Sequence, residues 1–167
     1  MTTNLDAAQG VPDTVTITHT FDAPRDLVWA AWTKNEHLVN WWGPDYFTNP
    51  TCAVDARPGG DLRIDMKGPD GTLYPMTGVF EEVIKPERLV FVTRPLNNAG
   101  NIMFEIRNTA VFSAVGDQTL LTLDAQVIAT TPEAPQYLAG MEAGWKQSLG
   151  KLDRLLGSLG QEGAPML

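Results

Sequence analysis

The C-terminal part of the sequence contains the feature that most restricts the fold, a long stretch with apolar residues at helical spacing. Thr131 is suited to cap a helix and Pro132 to occupy its first turn, and no proline interrupts the pattern after Pro135. The apolar positions that step by three and four residues are Leu138, Met141, Trp145, Leu149, Leu152 and Leu156. The pattern predicts a helix from Thr131 to about Leu159, roughly 40 Å long and able to cross a whole sheet.

Dense turn signals divide residues 43–129 into short segments with the two-residue period of β-strands. The turns are Pro58-Gly59-Gly60, Pro69-Asp70-Gly71, Pro86-Glu87 and Gly116-Asp117, with a longer polar loop, LNNAGN. Connections this short favour antiparallel neighbours. The sequence therefore predicts an α+β fold in which an antiparallel sheet grips the long C-terminal helix.

The N-terminal part predicts one more strand and two short helices. Residues 14–22 alternate apolar and polar side chains, as a strand does. Pro24 then fits the first turn of a helix with the sequence PRDLVWAAWTK. A second short helix is expected from about Glu36 to Trp42, where Gly43-Pro44 ends it.

The chain of 167 residues is long enough for one domain with a sizeable core. We expect that domain over residues 14–159, between flexible ends at 1–13 and 160–167. Cys52 has no second cysteine to pair with, and one cysteine with two histidines is too few for an ordinary zinc site. We therefore expect no metal and no cofactor. Without an export signal or a disulfide, the expected compartment is the cytoplasm.

The charge balance restricts the partners. Twelve basic and twenty acidic residues give a net charge of -8, which repels nucleic acid and anionic lipid surfaces. No apolar run is long enough to span a membrane. The sequence predicts neither a nucleic-acid nor a membrane partner, and it leaves monomer and homodimer open because edge strands either pair between chains or stay covered.

The motifs that usually accompany hydrolases and kinases are absent. No serine lies in a nucleophile elbow, no glycine-rich phosphate loop precedes a helix, and no zinc-protease spacing occurs. The strand charges Asp65, Glu105 and Arg107 alternate with apolar residues and are expected on the outward face. His19 and Arg94 are the candidates for an ionisable group facing inward, and both are weak. We predict no catalytic residue.

The inward positions of the strands and the helix carry methionines and aromatic residues. Methionine is flexible and aromatic rings are large, so this set suits an adaptable apolar pocket, with Tyr46 or Tyr74 as a polar group at its edge. The same residues suit a filled core. The predicted pocket residues are Trp42, Tyr46, Phe47, Met66, Tyr74, Met76, Phe80, Phe104, Phe112, Met141 and Trp145.

Three glycines interrupt the predicted C-terminal helix, Gly140, Gly144 and Gly150. Each costs roughly 1 kcal/mol relative to alanine in a helix interior. One interpretation is a close approach of helix to sheet or a bend in the helix, and the other is room for a ligand beside Trp145. The first is favoured because a missing Cβ is first of all a packing device.

Several stretches together resemble the family of homologues of the heat-shock-protein-90 ATPase activator, within the START-like superfamily. They are FDAPRDLVWAAWT, WWGP, RPGGDLRIDM, GPDGTLYPMTGVFEEVIKPERLVF and GWKQSLGKLDRLL. The resemblance covers about residues 14–157. It implies a helix-grip fold: a strand, two short helices, a curved run of antiparallel strands and a long closing helix. Many members keep an apolar cavity between sheet and helix.

The resemblance leaves three functions open. The leading hypothesis is a carrier, sequestering or sensing protein that binds a small hydrophobic or aromatic molecule in that cavity. The second is a protein-interaction module that stimulates a chaperone ATPase. The third is a cyclase-like or hydratase-like enzyme that uses the same cavity. The superfamily contains carriers, receptors, cyclases and chaperone activators, so the fold alone does not choose between them.

Overall fold

The computed structural model describes residues 14–132 and 139–163, with side chains described up to residue 159. The order of its elements follows the prediction: a strand, two short helices, six more strands and a C-terminal helix. The strands are β1 Thr14–Phe21, β2 Thr48–Val54, β3 Asp61–Lys67, β4 Leu73–Ile84, β5 Arg88–Pro95, β6 Phe104–Val115 and β7 Gln118–Thr130. The helices are α1 Arg25–Thr33, α2 Asn35–Leu38 and α3 Met141–Gly163.

The strands form one antiparallel sheet in the order β1-β7-β6-β5-β4-β3-β2. Each neighbour from β2 to β7 is also the next strand along the chain, as expected from the short turns. Only β1 departs from sequence order, and it pairs with β7 along its whole length. The predicted antiparallel sheet with a C-terminal helix is thereby confirmed, and β1 and β2 are its edges.

The start of the C-terminal helix differs from the prediction. Strand β7 continues to Thr130, which pairs with Phe104, and the Thr131 hydroxyl donates to the carbonyl of Met103. Thr131 is therefore attached to the sheet, and the described helix begins at Met141 and extends past Leu159. Leu138, the first residue of the predicted apolar stripe, lies outside the described residues.

Helix α2 is shorter than predicted because side chains stabilise another course of the chain after Leu38. The Asn49 amide donates to the carbonyls of Val39 and Trp42, each at 2.9 Å. The Trp41 indole donates to the Ala31 carbonyl at 2.8 Å. Turn-like backbone bonds continue as far as Trp42, whose amide donates to the Leu38 carbonyl, and Trp41 and Trp42 are both buried.

The core lies between one face of the sheet and the helices α1 and α3. Leu149, Leu152 and Leu156 of the α3 stripe are buried against it. The opposite face of the sheet carries ion pairs, including Arg63 with Asp65 at 2.9 Å. No helix within residues 14–132 and 139–163 is long and apolar enough to cross a bilayer.

Candidate functional site

A cavity of about 350 Å³ lies between the sheet and the first two turns of α3. Its larger apolar side chains are Trp42, Met66, Met76, Phe104, Ile106, Met141 and Trp145. Hydroxyl and amide groups are added by Thr93, Asn108 and Ser148. Gly43, Pro44, Gly140 and Gly144 complete the wall. Cavities of roughly 300–1,000 Å³ with such a lining hold small organic molecules.

Strand alternation places the sheet side of this lining on one face. Phe104, Ile106 and Asn108 follow one another at every second position of β6, and all three are buried. Thr93 of β5 is the direct cross-strand partner of Ile106, so its side chain points to the same face. The cavity therefore lies over the end of the sheet where β6 begins and β5 ends.

The helix side of the lining has helical spacing. Met141, Trp145 and Ser148 are separated by four and three residues and so share one face of α3. The Trp145 ring stacks on Trp32, with centroids 5.8 Å apart and planes 13° from parallel. Trp42 meets the same ring edge-on at 5.4 Å. These contacts hold the Trp145 indole in place before any ligand arrives.

Asn108 and Thr93 form a hydrogen-bonded polar pair in the cavity wall, and Asn108 is only 1% exposed. Its Nδ2 group donates to the Phe91 carbonyl at 3.2 Å and to the Thr93 hydroxyl oxygen at 3.1 Å. Its Oδ1 atom has no hydrogen-bond partner within the described part of the chain. The Thr93 hydroxyl accepts from Asn108 and has no described acceptor for its own proton.

The loop 43–47 forms the rim beside α3 and is attached to that helix. The Lys151 ammonium donates to the carbonyls of Gly43 at 3.1 Å, Pro44 at 3.2 Å and Phe47 at 3.4 Å. Burial lowers the pKa of Lys151, and the nearby Asp45 carboxylate opposes that shift. A single helical side chain thus holds both of the loop residues that line the cavity.

Six of the eleven predicted pocket residues lie on the cavity wall: Trp42, Met66, Met76, Phe104, Met141 and Trp145. The other five do not line this cavity. Phe80 and Phe112 are 2% and 1% exposed and belong to the closed core, because they lie further along their strands than the cavity extends. Phe112 packs there on Trp29 and Trp32.

The remaining three predicted residues lie outside the cavity. Tyr46 is 85% exposed, and its backbone has a positive φ of 71° in the rim loop. Phe47 and Tyr74 pack against each other with ring centroids 5.6 Å apart. Tyr74 lines a separate, more polar surface depression beside Leu73 and Asn97. Neither tyrosine supplies the polar group expected of it.

The prediction missed the polar residues of the cavity. Asn108 and Thr93 could have been identified from the sequence, because each is a polar residue at an inward position where the neighbouring inward positions of its strand are apolar. Ile106 has the same parity as Phe104 and could also have been found. Gly43 and Pro44 were predicted only to end a helix, and Ser148 only as a serine without a nucleophile motif.

The glycines of α3 are not explained by close packing. A Cβ atom at Gly144 would lie 3.8 Å from the Pro44 ring, an ordinary contact, and one at Gly150 would meet nothing within 4 Å. The favoured interpretation is a close approach of helix to sheet or a bend in the helix, and the contacts do not support the close approach at these two positions. Gly140 and Gly144 line the cavity, as the other interpretation expects.

The side chains considered for acid-base chemistry are paired elsewhere. His19 Nε2 lies 2.9 Å from the Asp153 carboxylate, and Arg94 lies 3.2 Å from Glu105. Among residues 14–132 and 139–163, none of those that line the cavity is ionisable. Burial raises the pKa of the Cys52 thiol to about 11, which keeps it protonated at neutral pH. Within the described residues, no cluster of three His, Cys, Asp or Glu side chains could hold a metal ion.

An antiparallel sheet that closes on a C-terminal helix around an apolar cavity, with short helices after the first strand, defines a START-like helix-grip protein. The model of one family in that class, Activator of Hsp90 ATPase homolog 1-like protein, matches residues 22–157. The chain belongs to this family.

Solved structures agree with this assignment. A protein from Nitrosomonas europaea is 25% identical with a TM-score of 0.75, over 91% of this chain and 97% of that one. One from Mycobacterium smegmatis is 26% identical with a TM-score of 0.74, over 86% and 90%. The AHSA1 protein from Silicibacter pomeroyi, at 20% identity and a TM-score of 0.75, shares the fold over 86% of this chain and 97% of its own. No curated protein matches the sequence.

Proposed function

We propose that this protein binds a small hydrophobic or aromatic molecule in the cavity between the sheet and α3, and so carries, sequesters or senses it. The observation that supports this best is the cavity itself, about 350 Å³ lined by seven large apolar side chains. A cavity of this size in a close-packed protein leaves apolar contacts unmade, and an apolar ligand restores them.

The two indoles give the cavity a preference for flat molecules. Trp42 and Trp145 meet at a right angle, 79° between planes, and both contact the cavity. A flat ring that lies along one indole meets the edge of the other, and both arrangements are favourable for aromatic pairs. The methionines Met66, Met76 and Met141 can adjust their rotamers around the rest of the ligand.

Blocking the cavity tests this proposal. Gly144→Leu adds a side chain whose Cβ starts at the cavity wall, 3.8 Å from Pro44. Gly150→Leu is the matched control, because it makes the same change in the same helix where nothing lies within 4 Å of the Cβ and the cavity is not touched. Both variants gain helix propensity, so a difference between them reports on the cavity.

Two measurements apply to these variants. Native mass spectrometry of protein purified from its own host should detect a retained molecule on the wild type and on Gly150→Leu but not on Gly144→Leu. Equilibrium dialysis should likewise show naphthalene binding to the wild type and to Gly150→Leu but not to Gly144→Leu. The proposal is lost if the wild type binds neither a retained molecule nor naphthalene, or if Gly144→Leu binds them as well as Gly150→Leu does.

A protein-interaction role is a second candidate, supported by exposed apolar side chains near the cavity end of the sheet. Tyr46, Leu73 and Ile102 are 85%, 52% and 43% exposed. Their loops adjoin, because Ile102 bridges Leu96 and the Leu96 amide donates to Pro75 at 2.9 Å. Exposed apolar groups of this kind mark interaction sites. Stimulation of a chaperone ATPase that is lost in Tyr46→Ser and Leu73→Ser would support this role, and no stimulation at saturation would exclude it.

The two residues considered for the enzymatic alternative, His19 and Arg94, do not line the cavity. His19 is hydrogen-bonded to Asp153, and Arg94 forms an ion pair with Glu105. General acid-base catalysis requires a titratable group within hydrogen-bond reach of the substrate. No described residue of the wall supplies one. The geometry therefore favours binding over acid-base chemistry at this cavity.

A further inference from the structure

We infer that the cavity selects an uncharged aromatic molecule of about two rings that carries one hydroxyl group, which Asn108 and Thr93 bind together. This inference rests on the proposed function and adds the chemical class of the ligand. It follows from three properties of the wall: its size, its lack of charge and its one incompletely bonded polar pair.

The size indicates a ligand of about two rings. An apolar cavity of about 150 Å³ accommodates one benzene molecule. The cavity here measures about 350 Å³, somewhat more than twice that volume. The indoles of Trp42 and Trp145 both line it.

The wall lacks a charge for an ionic ligand. None of its fourteen residues is ionisable. The Lys151 ammonium, the cation attached to the rim, already donates to three backbone carbonyls. A carboxylate or an ammonium group would lose its hydration in the cavity without gaining a counterion, which is costly. The described part of the wall therefore favours a neutral ligand.

Together, Asn108 and Thr93 offer a ligand one hydrogen-bond acceptor and one hydrogen-bond donor. Asn108 is 1% exposed and uses its Nδ2 group on the Phe91 carbonyl and the Thr93 oxygen, which leaves its Oδ1 as an acceptor without a described partner. The Thr93 hydroxyl receives that bond and keeps its own proton to donate. A ligand hydroxyl does both at once: it donates to Asn108 Oδ1 and accepts from Thr93. These two hydrogen bonds give such a ligand affinity that a plain hydrocarbon lacks.

Three probes separate these properties: naphthalene, its hydroxyl derivative naphthol and its carboxylate naphthoate, each measured by equilibrium dialysis at neutral pH. We expect naphthol to bind about fivefold to tenfold more tightly than naphthalene, as one or two hydrogen bonds provide. We expect naphthoate to bind at least about tenfold more weakly than naphthol, because its charge is desolvated without a partner.

Thr93→Val tests the polar pair, because valine keeps the shape of threonine and removes the hydroxyl. Asn108 retains its bond to the Phe91 carbonyl in this variant. Thr93→Val removes one of the two hydrogen bonds to the ligand hydroxyl, so naphthol should lose part of its advantage over naphthalene, whereas Thr93→Ser, which keeps a hydroxyl, should preserve it. Thermal unfolding of both variants establishes that they are folded. The relative affinities of the three probes for the wild type test the inference without any variant.

The outcomes distinguish this inference from the proposed function. If naphthalene and naphthol bind the wild type equally, or if Thr93→Val leaves the naphthol advantage intact, the hydroxyl preference is wrong while the binding cavity stands. If naphthoate binds as tightly as naphthol, the exclusion of charge is wrong. If no probe binds and Gly144→Leu behaves like the wild type, the proposed function fails and this inference fails with it.

Discussion

The Cys52 thiol illustrates how the surroundings of one residue control its chemistry. Cys52 lies in β2, half-buried beside the core, and burial raises its pKa to about 11. The thiolate is the reactive form, so alkylation by iodoacetamide should be slow at pH 7–8 and should accelerate as the pH approaches 11. The chain unfolded in urea provides the control, because its thiol should react readily near pH 9. Equal rates in the folded and unfolded chains would contradict the assigned burial.

At the same scale, the sequence predicts which face a side chain takes but not how far along the sheet the cavity extends. Met76 and Phe80 share the inward parity of β4, yet Met76 lines the cavity and Phe80 lies in the closed core. The difference depends on where α3 separates from the sheet. That distance is set by Trp32, Trp145 and the rim loop together, and no periodicity within one strand encodes it.

At the scale of the element, the glycines of α3 weaken the helix without improving its packing. Gly150 lies in the helix interior with open space around its Cβ position. Gly150→Ala should therefore raise the free energy of unfolding by about 1 kcal/mol, the difference in helix propensity. Urea unfolding measures this, and naphthalene binding should not change because the residue is remote from the cavity wall. A loss of stability would show that the glycine has a structural role that its contacts do not reveal.

The attachment of the rim loop to α3 depends on Lys151. Its ammonium donates to the carbonyls of Gly43, Pro44 and Phe47. Lys151→Met keeps the length of the side chain and leaves these carbonyls without their donor, and we expect it to lower the free energy of unfolding by about 1–3 kcal/mol. It should also weaken naphthalene binding, because Gly43 and Pro44 form part of the cavity wall.

Lys146→Met is the matched control for this prediction. Lys146 lies on the same helix, and its pair with Glu142 at 3.0 Å is exposed, with the two side chains 64% and 55% accessible. Exposed pairs of this kind contribute roughly 0.3–0.5 kcal/mol. Urea unfolding of both variants should give the larger loss for Lys151→Met. Equal losses would mean that the three carbonyl contacts do not hold the loop in solution.

The elements themselves were predicted well where periodicity and turn residues agree, and less well where side chains intervene. All seven strands follow from alternation and from the turns between them. The beginning of α3 does not, because Thr131-Pro132 has the sequence of a helix start while the Thr131 hydroxyl bonds to Met103 across the sheet. The end of α2 likewise depends on Asn49, a residue of β2 that helical spacing cannot take into account.

At the scale of the whole molecule, charge and apolar surface are separated. The chain carries a net charge of -8, and the ion pairs of Arg63, Arg94 and Arg107 lie away from the cavity. The cavity of about 350 Å³, by contrast, has no charged side chain among the described residues of its wall. This separation keeps acidic groups at the surface and leaves the cavity to apolar contacts and one polar pair, the arrangement expected of a protein that takes a neutral molecule out of water.

Ligand binding should therefore stabilise the whole fold, because the cavity exists only when the sheet and α3 are assembled. A ligand that binds only the folded state at a hundredfold excess over its Kd adds about 2.7 kcal/mol to the free energy of unfolding, or about 5–10 °C in Tm for a chain of this size. Naphthol should produce this shift in the wild type and in Gly150→Leu. Gly144→Leu should show none, since its added side chain occupies the wall that naphthol requires. A shift of the same size in all three proteins would place naphthol on the outer surface and remove the link between the cavity and stability.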